Sequence, residues 1–158
     1  MRKVRTMRLL IQRVLRAEVF VDNDSYQKIE SGLLIFLGIT TNDTEEDVHY
    51  LSHKLLNLRI FADHDKKMNF NIQDVNGEML VISQFTLYGE TIKGNRPSYM
   101  SAAKSEFSKP LYQYFINYLI SNTSLAVKTG QFGADMKVSL INDGPVTIWI
   151  DSQQNKKS

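Results

Sequence analysis

Polar side chains interrupt two apolar segments of this chain, at positions where a buried strand would ordinarily continue. The first interruption, Ser83-Gln84-Phe85-Thr86-Leu87, directly follows the apolar run of residues 79–82. Uncharged polar groups that leave water need hydrogen-bonding partners or a ligand. The segment therefore predicts a site that holds a carbonyl group against backbone N–H donors, which is the electrostatic part of acyl transfer. Such donors suffice to promote cleavage of a reactive ester but not of an amide.

The second interruption is Asn142-Asp143-Gly144-Pro145-Val146-Thr147, which lies between two stretches of alternating apolar residues. The alternation predicts two strands joined by a loop, with Gly144-Pro145 at or near its tip. Asp-Gly is a common turn, so an ordinary hairpin tip is one interpretation. The functional interpretation is that a Gly-Pro pair, in which cis costs only about 0.5 to 1 kcal/mol, presents bare carbonyls and selects a ligand by shape.

Other candidates for chemistry are weaker. Ser83 and Thr86 are three residues apart, which places them on opposite faces of a regular strand. No base is evident that would activate Thr86 as a nucleophile, so a structural hydroxyl is the better interpretation. His49 and His53 share one helix face at a spacing that metal sites use, but no third ligand is evident, and no metal is expected. Cysteine is absent, which excludes thiolate catalysis.

The bulk composition predicts a single cytoplasmic domain. The chain has 158 residues, 42% of them hydrophobic, which is enough for one well-buried core. No run approaches the roughly 18 apolar residues of a membrane span, so no membrane association is expected. We take residues 1–158 as one domain, in which residues 1–6 are an extension and residues 152–158 a frayed tail.

The formal net charge of +2 depends on the chain ends, because five of the 19 basic residues lie within residues 1–6 and 156–158. The other 14 basic residues are outnumbered by the 17 acidic ones, so a broad phosphate-binding face is not expected. Any contact with RNA must therefore be local. Lys93, Arg96 and Lys104 form the candidate patch, although three such residues are also typical of an ordinary solvated loop.

Strands outnumber helices in the hydrophobic pattern, which favours a layered α/β or α+β domain. Residues 33–37 are apolar on both faces and should form a central strand, and another strand is expected over residues 78–88. The first helix should begin after a Thr44 cap and end near Phe61, and the second should carry Pro110 only if it lies in the first turn. The buried stripe of the first helix consists of Val48, Leu51, Leu55 and Leu58.

Five segments, in order along the chain, resemble the D-aminoacyl-tRNA deacylases over nearly the whole length, from Met7 to about Asp151. The chain departs from the family pattern in residues 1–6, which precede the usual start, and at Tyr99, where the family commonly has Phe. The segments are Met7-Arg8-Leu9-Leu10-Ile11-Gln12-Arg13-Val14, Ser83-Gln84-Phe85-Thr86-Leu87-Tyr88-Gly89, Lys93-Gly94-Asn95-Arg96-Pro97-Ser98, Thr129-Gly130-Gln131-Phe132-Gly133-Ala134-Asp135-Met136 and Asn142-Asp143-Gly144-Pro145-Val146-Thr147.

The resemblance implies an α/β fold: a single layered domain with a mostly antiparallel, partly barrel-like sheet and two main helices. It implies a cytoplasmic homodimer that hydrolyses the ester of D-aminoacyl-tRNA, and of glycyl-tRNA, without a cofactor. Gly144 and Pro145 would form a cis pair that each subunit inserts into the partner's pocket, where it excludes L side chains. Arg13 would orient this pair.

The same resemblance assigns the pocket. Ser83, Gln84 and Phe85 would surround the ester, while Phe132 and Met136 would flank the adenine of the terminal adenosine. Thr86 matches a residue that has been favoured as a nucleophile in the family. Because no base accompanies it, we favour assistance by the 2′-hydroxyl of the RNA. The alternative to an enzyme is a β-rich module that binds tRNA without chemistry.

Overall fold

The computed structural model describes residues 6–153, whose strands form one mixed six-stranded sheet and a separate short hairpin. Two helices pack against the larger sheet. The elements in chain order are β1 (Arg8–Val21), β2 (Asp24–Ile29), β3 (Gly32–Gly38), α1 (Glu45–Asn57), β4 (Phe61–Ala62), β5 (Met68–Phe70), β6 (Glu78–Ser83), a 3-10 helix (Phe85–Tyr88), α2 (Ser105–Asn122), β7 (Val127–Thr129) and β8 (Met136–Asp151).

Strand β1 is the centre of the larger sheet. One of its edges pairs antiparallel with β3 and then with β2, and its other edge pairs antiparallel with β8 along the whole strand. Strand β3 also pairs with β6, and β6 with β7, both in parallel. The central position predicted for residues 33–37 is confirmed, because β3 has a partner on each edge.

Apolar side chains on both faces of this sheet are buried, which explains the apolar runs in β3 and β6. Leu33 and Ile35 face a large core shared with both helices. Leu34 faces a smaller core, where Val138 and Leu140 of β8 cover it because the sheet curves almost into a barrel. The fold class predicted from the sequence is therefore confirmed, including the two helices and the mostly antiparallel, partly closed sheet.

The prediction of two strands joined by a loop around Gly144-Pro145 is wrong. Strand β8 is one strand of 16 residues, and Gly144-Pro145 lies in a bulge within it. Gln12 pairs with Thr147 and Val14 with Asn142, so five steps along β8 oppose two steps along β1. The alternating stretches on either side of the bulge pair with β1 rather than with each other, and a periodicity in the sequence does not reveal this choice of partner.

Helix boundaries also differ from the predictions. Thr44 is confirmed as the cap of α1, and its N–H donates to the Asp47 carboxylate at 2.8 Å. The helix ends at Asn57 and not near Phe61, since Leu58 turns to extended backbone. Pro110 lies beyond the first turn of α2. Its missing N–H leaves the carbonyl of Glu106 without a helical donor, and water can satisfy that carbonyl because Glu106 is exposed.

The strand expected over residues 78–88 ends at Ser83, where the chain turns into the 3-10 helix. The prediction of a frayed tail is wrong at Ser152. This residue is fully buried, and its Oγ donates a hydrogen bond to the Asp47 carboxylate at 2.7 Å. The pairing of β1 with β8 places Ser152 beside Met7, whose carbonyl accepts the Ser152 N–H at 3.0 Å. Thr6 is likewise buried, while residues 1–5 and 154–158 lie outside the described part.

Candidate active site

A cavity of about 630 Å³ opens where the parallel strands β3 and β6 end. Parallel strands end at the same edge of a sheet, so the segments that follow them meet there. The volume lies within the range typical of small-molecule sites. The lining residues come from these strand ends, from the start of α2 and from the loop before β8, and they include Ser83, Gln84, Phe85, Tyr99, Lys104, Phe132 and Met136.

The polar wall of the cavity is the turn from β6 into the 3-10 helix. The backbone N–H of Gln84 donates to the Leu37 carbonyl at 2.8 Å, which extends the β3–β6 pairing by one residue. The N–H groups of Phe85 and Thr86 come first in the 3-10 helix, so no carbonyl within that helix can accept them. The turn therefore offers two adjacent backbone donors beside the half-buried Gln84 side chain.

Aromatic rings form the remaining walls. The Phe85 ring, which is 55% exposed, contacts Tyr99 edge to face with ring centres 5.2 Å apart. Phe132 packs against Tyr112 with ring centres 5.5 Å apart. Tyr112 is itself fixed, since its hydroxyl donates to the Val81 carbonyl at 3.2 Å, and burial raises the pKa of Tyr112 to about 12.

Met136 occupies space that a side chain at residue 130 would need. A Cβ atom at Gly130 would lie 2.6 Å from the Met136 sulfur. Glycine at this position therefore lets the thioether lie beside the cavity, at the start of β8, directly after the loop that carries Phe132.

The structure brings together five of the residues predicted for the site and leaves others apart. Thr86 does not line the cavity; it is exposed and its hydroxyl accepts a hydrogen bond from Gln84 Nε2. Lys93 and Arg96 are exposed and also lie outside the cavity lining. The residues that line it as predicted are Ser83, Gln84, Phe85, Phe132 and Met136.

Gly144 and Pro145 do not line the cavity of their own chain, and both are exposed. The peptide bond between them is cis. Arg13 holds the bulge: its Nε lies 3.1 Å from the Asp143 carboxylate, and its Nη1 donates to the Ile60 carbonyl at 2.6 Å. A Cβ atom at Gly144, whose φ is +113°, would lie 2.7 Å from Arg13 Nη2. Arg13 therefore packs directly on the Gly144 backbone.

The histidine pair has another role in the described structure. His49 Nε2 lies 2.7 Å from the Tyr114 hydroxyl, and its ring stacks on Tyr118 with centres 4.5 Å apart. His53 is exposed. Within residues 6–153, no three His, Cys, Asp or Glu side chains are grouped so that they could hold a metal ion.

Several residues in and around this pocket were not predicted as part of the site. Tyr112 packs against Phe132 but does not line the cavity itself, and the helical pattern of the sequence did not single it out. Lys104, Ser108 and Asp135 line the cavity, but their types are ordinary for a helix start and a loop, so no pattern singled them out as pocket residues.

Comparisons with known proteins show which family the chain resembles. The family model described as D-Tyr-tRNA(Tyr) deacylase matches residues 10–151. A D-aminoacyl-tRNA deacylase of Flavobacterium psychrophilum is 53% identical over 95% of this chain and 100% of its own length. One of Thermosipho africanus is 51% identical over 94% of this chain and 99% of its own.

Two solved structures share the fold. A chain described as c-Myc DNA Unwinding Element Binding Protein matches with a TM-score of 0.86 and 36% identity, over 90% of this chain and 97% of that one. A chain described as a probable eukaryotic D-amino acid tRNA deacylase matches with a TM-score of 0.79 and 18% identity, over 92% and 99%. The second likeness concerns the fold alone.

The chain belongs to the D-Tyr-tRNA(Tyr) deacylase family, so the family resemblance read from the five segments is confirmed. It is therefore an enzyme of the deacylase class, and the non-catalytic alternative is not supported. Among residues 6–153, neither helix is long and apolar enough to cross a membrane.

Proposed function

We propose that this protein hydrolyses the ester that joins a D-amino acid to the terminal adenosine of tRNA, and that it also accepts glycyl-tRNA. The observation that carries the proposal is the turn after β6. There the backbone N–H of Phe85, a lining residue, and that of the adjacent Thr86 have no acceptor within the 3-10 helix, and no histidine is among the residues that line the cavity. An aminoacyl ester needs little catalytic power, so donors aimed at its carbonyl oxygen suffice. The printed names of the relatives, D-aminoacyl-tRNA deacylase, support this choice of ester.

In the proposed reaction, the oxygen of a water molecule bonds to the ester carbonyl carbon, and the bond from that carbon to the ribose oxygen breaks. The proton of the water passes to the ribose oxygen, which gives the free amino acid and tRNA with an intact terminal hydroxyl. The Phe85 and Thr86 N–H groups stabilise the oxyanion that forms in between, and Ser83 and Gln84 position the ester. The neighbouring 2′-hydroxyl of the substrate assists the proton transfer, because the cavity offers no paired base.

The adenine is proposed to lie between Phe132 and Met136. An aromatic ring and a thioether both pack favourably against the face of a purine, and stacking contributes about 1 to 3 kcal/mol per base. Tyr112 supports this arrangement, since it keeps the Phe132 ring from turning away. Lys93 and Arg96 remain proposed RNA contacts outside the cavity, where their exposed side chains could meet the acceptor stem.

Selection against L-amino acids is proposed to come from Gly144 and Pro145 of a second subunit. The two residues are exposed and lie outside their own cavity, so they could approach a substrate only in another copy of the chain. Main-chain carbonyls of the bulge on which Arg13 packs would clash with an L side chain, and each tenfold discrimination needs only about 1.4 kcal/mol. Glycine has no side chain to clash. We therefore propose a cytoplasmic homodimer that works without a cofactor.

The test is hydrolysis of three substrates: D-Tyr-tRNA, L-Tyr-tRNA and Gly-tRNA. We expect loss of the ester from D-Tyr-tRNA and Gly-tRNA, with L-Tyr-tRNA left intact. The matched control is Gln84→Ala, which keeps the backbone donors but removes the side chain beside them. If the wild type binds all three substrates and leaves every ester intact, the protein is a tRNA-binding module and the proposal fails.

A further inference from the structure

The first turn of α2 is divided between two cavities. Lys104, Ser105 and Ser108 line the active-site cavity described above. Glu106 and Phe107 line a second cavity of about 430 Å³ on the other side of the helix. The Glu106 carboxylate therefore lies on a different surface from the Lys104 ammonium group.

The active-site cavity consequently has a cationic edge. Its charged lining residues within the described chain are Lys104 and Asp135. Asp135 is offset by Lys137, whose Nζ lies 3.3 Å from both carboxylate oxygens. No carboxylate within residues 6–153 lies within ion-pair distance of the Lys104 ammonium. Among the described residues, the Lys104 ammonium therefore has no ion-pair partner, and it shares the cavity lining with the hydroxyl-bearing Ser105 and Ser108.

Lys104 lies at the opening and not in the interior. It is exposed, whereas Gln84 and Phe132 are half-buried. A cavity of about 630 Å³ holds little more than an aminoacyl nucleoside, so the rest of a tRNA must leave through this opening. The first group to leave is the phosphate attached to the 5′ carbon of the terminal ribose.

We propose that Lys104, with the hydroxyls of Ser105 and Ser108, binds the phosphate on the 5′ side of the terminal adenosine. The inference rests on the proposed function and deepens it, since it assigns a phosphate subsite to the same cavity. An ammonium group and two hydroxyl donors match the acceptor oxygens of a phosphodiester. This contact reads no base, so it should serve every tRNA equally.

Two small substrates isolate the phosphate. One is D-tyrosyl-adenosine, esterified on the ribose at the 2′ or 3′ oxygen, and the other is the same compound with a 5′-phosphate. We expect the wild type to favour the phosphorylated compound about tenfold in kcat/KM, mainly through a lower KM. A tenfold preference is what the free energy of one charge-assisted contact corresponds to. Lys104→Gln should abolish this preference, and Lys104→Glu should reverse it. A Lys104→Gln variant that loses the same factor on both compounds, or keeps the preference, overturns the inference.

Direct binding provides a readout that does not depend on hydrolysis. AMP should bind the wild type more tightly than adenosine, and Lys104→Gln should bind both equally. The control is Lys109→Gln on the same helix, which lines neither cavity and should behave as wild type. If the wild type binds AMP more tightly than adenosine but does not hydrolyse D-Tyr-tRNA, the proposed function alone is refuted. If the wild type hydrolyses D-Tyr-tRNA but binds AMP and adenosine equally, the phosphate subsite alone is refuted.

Discussion

At the scale of single residues, the proposed mechanism depends on backbone donors more than on a reactive side chain. Thr86, whose hydroxyl most resembles a nucleophile, is not among the residues that line the cavity, and that hydroxyl accepts a hydrogen bond from Gln84. Its hydroxyl is thus a positioning group for the Gln84 amide. The Thr86 backbone, by contrast, supplies one of the two N–H donors.

The substitution Thr86→Val tests this division because it keeps the shape and the backbone but removes the hydroxyl. We expect kcat on D-Tyr-tRNA to fall by less than about fivefold, which corresponds to one modest hydrogen bond. Gln84→Ala should cost about 100-fold or more, as loss of a group beside the oxyanion does in comparable sites. Single-turnover rates measure both. A loss for Thr86→Val as large as that for Gln84→Ala would show that the hydroxyl takes part in the chemistry.

At the scale of elements, helix α2 supports the proposed adenine-binding wall through one buried tyrosine. Tyr112 joins α2 to β6 by its hydrogen bond to Val81, and it lies against Phe132. It is 4% exposed, and burial raises the pKa of its hydroxyl from about 10 to about 12. The folded protein therefore holds this proton more tightly than the unfolded chain does.

A pH dependence of stability follows from this difference. A group whose pKa is raised on folding stabilises the protein fully below its unfolded pKa, and that stability is lost as pH rises through its folded pKa. We therefore expect the free energy of unfolding to fall between pH 10 and about pH 12, as urea titrations at successive pH values would measure. Tyr112→Phe should lower it by about 1 kcal/mol at pH 8 and flatten the decline. Tyr99→Phe, on a ring that is 40% exposed, is the control that should keep the full decline.

At the scale of the whole molecule, the proposed chiral filter requires two chains. Gly144 lies in the bulge that Arg13 holds, away from the cavity that contains Gln84. A Cβ atom at Gly144 would meet the Arg13 guanidinium at 2.7 Å, so Gly144→Ala must displace the bulge. In the proposed dimer, this displacement opens the pocket of the partner and not that of the altered chain.

A mixed dimer distinguishes the two arrangements. The Gly144→Ala homodimer should hydrolyse L-Tyr-tRNA at least about tenfold faster than wild type, and the Gln84→Ala homodimer should be nearly inactive. In a heterodimer purified with two affinity tags, the only working pocket lies on the Gly144→Ala chain and receives the unaltered bulge. We expect about half of the wild-type rate on D-Tyr-tRNA, with L-Tyr-tRNA spared. Cleavage of L-Tyr-tRNA by the heterodimer, or a purely monomeric wild type, would show that the bulge does not act across subunits.

Much of this protein could be read from its sequence. The apolar run of residues 79–82 followed by Ser83 and Gln84 located the polar wall of the cavity, because a buried strand that ends in uncharged polar groups must satisfy them. The five segments identified the family, and residues 33–37 identified the central strand, because only a strand covered on both faces is apolar on both.

The tertiary structure decided what depends on the choice of partner. Alternation in residues 136–150 specifies which side chains face inward. Whether this segment forms a hairpin or one bulged strand depends on its partner, and β1 is long enough to pair with it on both sides of the bulge. The end of β6 at Ser83 moved Thr86 out of the cavity, and the rotation of α2 turned Lys104 toward it and Glu106 away. Local patterns encode burial and conformation, whereas pairing, register and the direction of a helix face arise from contacts between residues far apart in the chain.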